Sequence, residues 1–196
     1  MTKKTAIKLT SLILTHAESL SDKRTVILYG LELIVSTIIG FSSLALIAFI
    51  FNRGYTWVVF LSSFIPLRCT AGGYHANSHF CCYIIFDATY FIAIIIEKAF
   101  RVHEIIYILL VVFSLFNFYL FSPIVSPNKP LPKLQIRKNR IISICTTLVF
   151  LILLIILYVN DMFNTLAHYF CFGILAASVS LIAAKIKYAH QRRTCK

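Results

Sequence analysis

The chain of 196 residues is 59% hydrophobic and 13% charged, with a mean hydropathy of +0.84. So few charges cannot cover the surface of a water-soluble domain of this size, which excludes an ordinary globular fold in water. The net charge of +12 does not mark a nucleic-acid binder, because the basic residues gather beside apolar blocks rather than along one continuous face.

The first element in the chain is amphipathic. Ala6, Leu9, Ile13, Ala17 and Leu20 fall on one side of a helix, and Lys4, Lys8, Ser11, Thr15 and Glu18 fall on the other. This pattern predicts an interfacial helix within residues 1–24, lying on the lipid surface; a helix packed on the membrane spans is the alternative. Long apolar blocks follow at Val26–Asn52, Cys82–Ile96, Ile105–Phe121, Ile141–Val159 and Met162–Ala184. A helix needs about 20 apolar residues to cross a hydrocarbon core of about 30 Å, and these blocks meet or approach that length. Strand-like alternation is missing, so the fold class is all-α, with spans that satisfy their own backbone groups. No small-residue cleavage pattern follows the first block, which reads as a retained span.

Charge sets the orientation. Basic residues cluster at Lys3, Lys4, Lys8, Lys23 and Arg24, at Lys129, Lys133, Arg137, Lys138 and Arg140, and at Lys185, Lys187, Arg192, Arg193 and Lys196. Placing all three clusters in the cytoplasm satisfies the positive-inside rule, with both termini inside. Arg53, Lys98, Arg101, Glu97, Glu104 and Asp161 are left on the opposite face, nearly balanced. The basic segments also favour anionic membrane lipids as partners. Termini on one side require an even number of crossings, so Tyr55–Leu67 must supply a sixth. It is short, roughly 20 Å if helical, and Pro66 is expected to end it. The expectation is one membrane-embedded unit over 1–196 with about six transmembrane helices. Between the third and fourth long blocks, Ser122–Arg140 carries Pro123, Pro127, Pro130 and Pro132, predicting an extended connector with a basic C-terminal half. Cys145 and Cys171 lie inside spans and Cys81 adjoins Cys82, so the cysteines read as reduced thiols, not a disulfide framework.

The stretch from Arg68 to Cys82 resists a packing explanation. It sets two histidines, three cysteines, an arginine and the pair Gly72-Gly73 at a membrane boundary. His75 and Cys82 are seven residues apart, which is two turns if one helix carries both. An imidazole beside a thiol can take its proton; the thiolate is then a nucleophile and the imidazolium can protonate a leaving amine. Two other readings stand beside this one. The segment is a polar loop with incidental thiols, or His75 and His79 hold zinc with Cys69, Cys81 or Cys82, although the spacing matches no common zinc module.

The run Arg68…Gly73-Tyr74-His75-Ala76-Asn77-Ser78…Cys82 resembles the accessory gene regulator B (AgrB) family, membrane endopeptidases of bacterial quorum sensing. The connector Ser122-Pro123…Asn128-Lys129-Pro130-Leu131-Pro132 is similar to that family's proline-lysine loop, and chain length, basic N-terminal helix and hydropathy agree. The resemblance implies that His75 and Cys82 are the catalytic pair, with Arg68, Gly73 and Ser78 supporting them. Cys81 lies one residue off the family spacing. What the resemblance further implies is a bacterial cell membrane protein, likened to homodimers, that cuts a small AgrD-like peptide precursor. It would hold the N-terminal fragment as a thioester before an internal cysteine or serine of the peptide closes a thiolactone or lactone ring. Such precursors have acidic tails, which makes Lys129 and Lys133 expected substrate contacts. No metal and no cofactor is implied.

Ionisable residues inside spans are functional candidates by default. Asp87 is read either as a third member that orients His75 or as a boundary carboxylate paired with Arg68 or a basic loop. For Glu32 the pairing reading is preferred. His168 is expected to be a hydrogen-bonded interior residue, and Phe113–Phe121 to be a packing or lipid-facing surface. A non-catalytic transporter or peptide-export component is the rival function, but it would carry repeat symmetry and polar, broken helices at the midplane.

Overall fold

The structure, a computed structural model, describes residues 2–16, 24–73, 79–99, 103–124, 132–160 and 165–194. These form seven helices: α1 (Thr2–His16), α2 (Arg24–Ile50), α3 (Thr56–Ala71), α4 (His79–Ala99), α5 (Glu104–Phe121), α6 (Lys133–Val159) and α7 (Thr165–Thr194). No strand occurs among the described residues. The protein is all-α. Four helices, α2, α5, α6 and α7, are long and apolar enough to cross a membrane. The 16-residue α3 and the 21-residue α4 stand where the other two crossings are expected.

Which residues face inward identifies the solvent. Along α2 the buried positions are Ser36, Gly40, Leu44 and Ala48, one stripe at every fourth residue. Leu33, Ile34, Ile38, Ile39 and Leu46 on the same helix are exposed. In α6, Ser143, Thr147 and Leu154 are buried while Val149, Ile152 and Ile156 are exposed. Water would penalise a fold that hides hydroxyls and displays aliphatics. Hydrocarbon does not, because lipid tails are as apolar as leucine, and helices there associate through close packing and hydrogen bonds.

The hub of the bundle is α7. Half of its apolar stretch, 50%, is buried, against 22% for α2, 28% for α5 and 17% for α6. It packs most extensively on α3, then on α5, and it also meets α4 and α6. The α3–α7 crossing is close because Gly173 lacks a side chain. A Cβ there would lie 2.0 Å from Ser63 Oγ and 2.5 Å from the Phe60 carbonyl oxygen. Across the same crossing the Ser63 hydroxyl donates to the Phe170 carbonyl (2.8 Å). Aromatic rings fill the middle: Phe60 contacts Phe64, Phe86 and Tyr90, and Tyr90 contacts Tyr169. His168 stacks on Tyr107, with centroids 4.4 Å apart. At the α2–α3 turn Arg53 forms an ion pair with Glu97 of α4, and Thr56 and Tyr90 share a hydroxyl bond of 2.7 Å.

Two boundaries differ from the sequence expectation. Pro66 does not end α3, which continues to Ala71. A proline inside a helix removes one backbone bond, and in a bundle neighbouring helices can hold the segment in place; here the extensive α7 packing does so. The connector expected over 122–140 is shorter, since α6 begins at Lys133. Pro132 occupies its N-cap, where a missing N–H leaves no helical bond unmade. Lys133, Arg137, Lys138 and Arg140 therefore lie on a helix. Finally, α1 packs on α2 through the buried small residues Ala6 and Thr10, while Ile7, Leu9, Leu12 and Ile13 remain exposed. The packing on α2 is the alternative that the sequence offered for this helix. Residues 17–23, including Ala17 and Leu20, lie outside the described residues.

Gly173→Ala should destabilise the bundle by about 1–3 kcal/mol, because a backbone carbonyl blocks the added methyl. Gly30→Ala, with nothing within 4 Å of the new Cβ, should be neutral or slightly stabilising. Thermal aggregation midpoints in detergent measure both; equal midpoints would show that the α3–α7 crossing is not as tight as described.

Candidate functional site

The chemistry-bearing segment begins where α3 stops. Arg68 sits in the last turn of α3, where free carbonyls make the helix end electronegative and favour a cation. Gly72 caps the helix with φ +76°, its N–H donating to the Arg68 carbonyl (3.2 Å). Gly73 follows at φ +153°. Both glycines are needed for space as well as conformation. A Cβ on Gly72 would lie 2.6 Å from the Ile124 carbonyl oxygen. One on Gly73 would lie 1.6 Å from Arg68 Nη1 and 2.7 Å from Ser180 Oγ. The Arg68 guanidinium thus folds back across Gly73 and donates to Ser180 Oγ of α7 at 2.6 Å.

The second motif meets the first at this corner. The Ile124 N–H donates to the Ala71 carbonyl (3.0 Å), joining the start of the proline-rich connector to the end of α3. Just before it, Ser122 Oγ and Ser143 Oγ share a hydrogen bond of 2.6 Å, which ties the connector to α6. Asn117 Nδ2 donates to Ser178 Oγ (3.1 Å) and holds the end of α5 on α7. Segments far apart in sequence therefore converge on one end of the bundle.

That end is basic. Arg140 donates to the Tyr119 carbonyl (3.0 Å) and lies over the Tyr119 ring. Lys185 Nζ stands 3.5 Å from the centroid of Phe121. These two cations are held on the last turn of α5, where they offset its dipole. Lys133, Arg137 and Lys138 are exposed on the opening turns of α6. The opposite end carries the Arg53–Glu97 pair.

The expected site residues fall as follows. Arg68 and Gly73 are in contact. Cys82 lies in the first turn of α4, and His75, Ser78 and Lys129 lie outside the described residues. Asp87, further along α4, accepts a hydrogen bond from Ser43 of α2 (2.9 Å). Lys133 is the first residue of α6. Among the described cysteines, Cys69, Cys145 and Cys171 are free thiols. Sequence reasoning missed Ser180, Ser43 and the Ile124–Ala71 bond. The first two had a weak signal, a hydroxyl in an apolar run; the third is a backbone contact and had none.

A family model described as Accessory gene regulator B matches residues 5–181. The chain belongs to the accessory gene regulator B family. The match takes in α1 through most of α7 and both segments that meet at the Gly72 corner. Two proteins of Clostridium perfringens, carried under the provisional name AgrB-like, are similar to it. That of strain SM101 / Type A is 28% identical over 152 residues, covering 71% of each chain. That of strain 13 / Type A is 28% identical over 153 residues, covering 72% of this chain and 71% of its own. No solved structure matches. Membership in the accessory gene regulator B family assigns the chain a role in the agr quorum-sensing system.

Gly73→Ala should lower precursor processing by at least about tenfold, because the methyl must displace the Arg68 guanidinium in addition to straining the backbone. Gly54→Ala is the control: it also has positive φ (+49°), but nothing lies within 4 Å of its Cβ, so it should cost only about 1 kcal/mol of stability. Immunoblots of precursor cleavage, normalised to enzyme in the membrane, distinguish the two; equal activity would remove the corner from the site.

Proposed function

We propose that the chain is a membrane-embedded cysteine endopeptidase that cuts a small AgrD-like quorum-sensing precursor at the cytoplasmic face. The observation that carries this reading is the family match over residues 5–181, which includes the His75–Cys82 spacing directly after the Arg68–Gly73 corner. Cys82 is the nucleophile and His75 its base. Cys82 falls in the opening turn of α4, where unpaired helical N–H groups favour an anion. Arg68 and Gly73 set the course of the chain into the site, Ser78 supports it, and Asp87 is the candidate third member.

The bonding changes are simple. His75 takes the Cys82 proton, and the thiolate adds to the scissile carbonyl. The intermediate collapses with loss of the amine, which takes the proton from His75. The N-terminal fragment is left as a thioester on Cys82. An internal thiol or hydroxyl of that fragment then attacks the thioester carbonyl, closes a (thio)lactone ring and returns Cys82 to its thiol. A site poor in water favours the internal nucleophile over hydrolysis.

The basic end of the bundle supports a cytoplasmic placement of the site and of both termini. Lys129 and Lys133 draw in the acidic tail of the precursor, since opposite charges raise encounter rates near a membrane. The working unit in this reading is a homodimer in the bacterial cell membrane, as the family resemblance implies.

Cys82→Ser and His75→Ala should each lower cleavage of the co-expressed precursor by at least about a hundredfold. Cys69→Ser and Cys81→Ser should retain cleavage, and a chelator should leave it unchanged. An active Cys82→Ser enzyme, or loss of activity on chelation, would replace the thiol mechanism with a metal-dependent one.

A further inference from the structure

We infer that Ser43 of α2 is a positioning residue: through Asp87 it fixes the height of α4, the helix that carries Cys82. The inference rests on the cysteine-peptidase reading and adds a residue to it. A carboxyl group within an apolar helix is costly in lipid and is kept where a partner or a function holds it. Asp87 has such a partner in α2. The Ser43 hydroxyl lies 2.9 Å from Asp87 Oδ1 and 2.9 Å from the Gly40 carbonyl oxygen, so it joins the carboxyl of α4 to the backbone of α2. Both side chains are half-buried.

The tie matters because packing alone does little to stop α4 from sliding. This helix packs on α2 and α7, far less extensively than α3 packs on α7. Phe86 rests on the Phe60 and Phe64 rings. Apolar contact of this kind is non-directional, so it resists separation more than displacement along the axis. The hydrogen bonds and ion pair that join the described part of α4 to the rest of the bundle are Asp87–Ser43, Tyr90–Thr56 and Glu97–Arg53. Ser43 and Arg53 are ten residues apart, as are Asp87 and Glu97, so the outer two of these ties hold α2 and α4 parallel and in one register. Asp87 is five residues from Cys82, about 7.5 Å along the helix, whereas Glu97 is fifteen residues away, about 22 Å. The Ser43 tie is therefore the one near enough to the nucleophile to set its height. A displacement of about an ångström there costs rate more than substrate affinity, because the reacting atom must meet the scissile carbonyl at bonding geometry.

The test uses the full-length protein in native membranes with its co-expressed precursor, and cleavage is normalised to enzyme in the membrane. Ser43→Ala should slow cleavage about tenfold, the scale of one hydrogen bond to a charged group, through kcat rather than KM. Ser43→Thr keeps the hydroxyl and should restore the rate. Two backgrounds locate the effect. In Asp87→Ala, which has no acceptor, Ser43→Ala should cost nothing more. In Asp87→Asn, whose amide oxygen still accepts, it should cost the same tenfold. Unchanged cleavage in Ser43→Ala overturns the inference, as does a rise in KM alone or failure of threonine to restore the rate. A loss that persists in Asp87→Ala overturns it too, since the hydroxyl then acts elsewhere. So does a loss that vanishes in Asp87→Asn, since Ser43 would then aim a charge and not hold a helix. Where cleavage in a background is too slow to compare, the rate of iodoacetamide alkylation at Cys82, read by peptide mass mapping, takes its place. Ser43→Ala should change that rate in Asp87→Asn and leave it unchanged in Asp87→Ala, and any other pattern overturns the inference. Cys82→Ala run in parallel separates the two levels: cleavage that persists in that variant defeats the peptidase reading itself, whatever Ser43 does.

Discussion

The close approach of α3 to α7 at Gly173 is the contact on which the other features rest. The helix it holds, α3, is short, carries Pro66 in its interior and leaves Ile65 and Pro66 exposed. Such a helix has little to recommend it alone. Seated on the backbone of the central helix, with the Ser63–Phe170 hydrogen bond across the crossing, it becomes a fixed strut. Its end then delivers Arg68 to Ser180 and the Ala71 carbonyl to Ile124. Those two contacts place the Gly72-Gly73 corner, and the corner sets where the chain departs towards α4. A substitution at the crossing would thus be felt at the Gly72-Gly73 corner, at the far end of α3.

Electrostatics divides the molecule into two ends with different chemistry. At one, Arg53 and Glu97 neutralise each other, and the Tyr90 and Thr56 hydroxyls share a hydrogen bond. At the other, Arg68, Arg140 and Lys185 are bound to hydroxyls, carbonyls and aromatic faces of the protein itself. Lys133, Arg137 and Lys138 remain exposed. The second end therefore holds two populations of cation, one that secures helix termini and one exposed on the opening turns of α6. The sum of charges in the sequence conceals that difference.

Much of the fold was legible because lipid writes its demands in one dimension: a run of apolar residues long enough to cross is nearly sufficient to name a span. Each long block holds a helix, and Tyr55–Leu67 matches α3 from its N-cap Tyr55 onward. The errors arose where tertiary packing overrules local preference. Pro66 reads as a stop in isolation and is carried through by α7, and Lys133 to Arg140 read as loop although Pro132 opens a helix there. The candidate site was proposed from the sequence as a list of residue types at a spacing. Its assembly was not, because the decisive partners of Arg68 and Ala71 are a serine 112 residues away and a backbone N–H, neither of which has a sequence signature. The residues themselves left a thiol site, a zinc site and an incidental loop open, and the likeness to a known family is what favours the thiol site.

The central claim is that Cys82 forms a covalent acyl intermediate. Its most direct test is intact-mass and peptide mapping of the enzyme, quenched in acid during turnover of its precursor. The expected adduct adds the mass of the N-terminal precursor fragment less one water, maps to Cys82 and is released by hydroxylamine, as a thioester is. Turnover without any adduct in the wild-type enzyme and in a variant slowed at the second step, or an adduct on another residue, would contradict the assignment of Cys82 as the nucleophile.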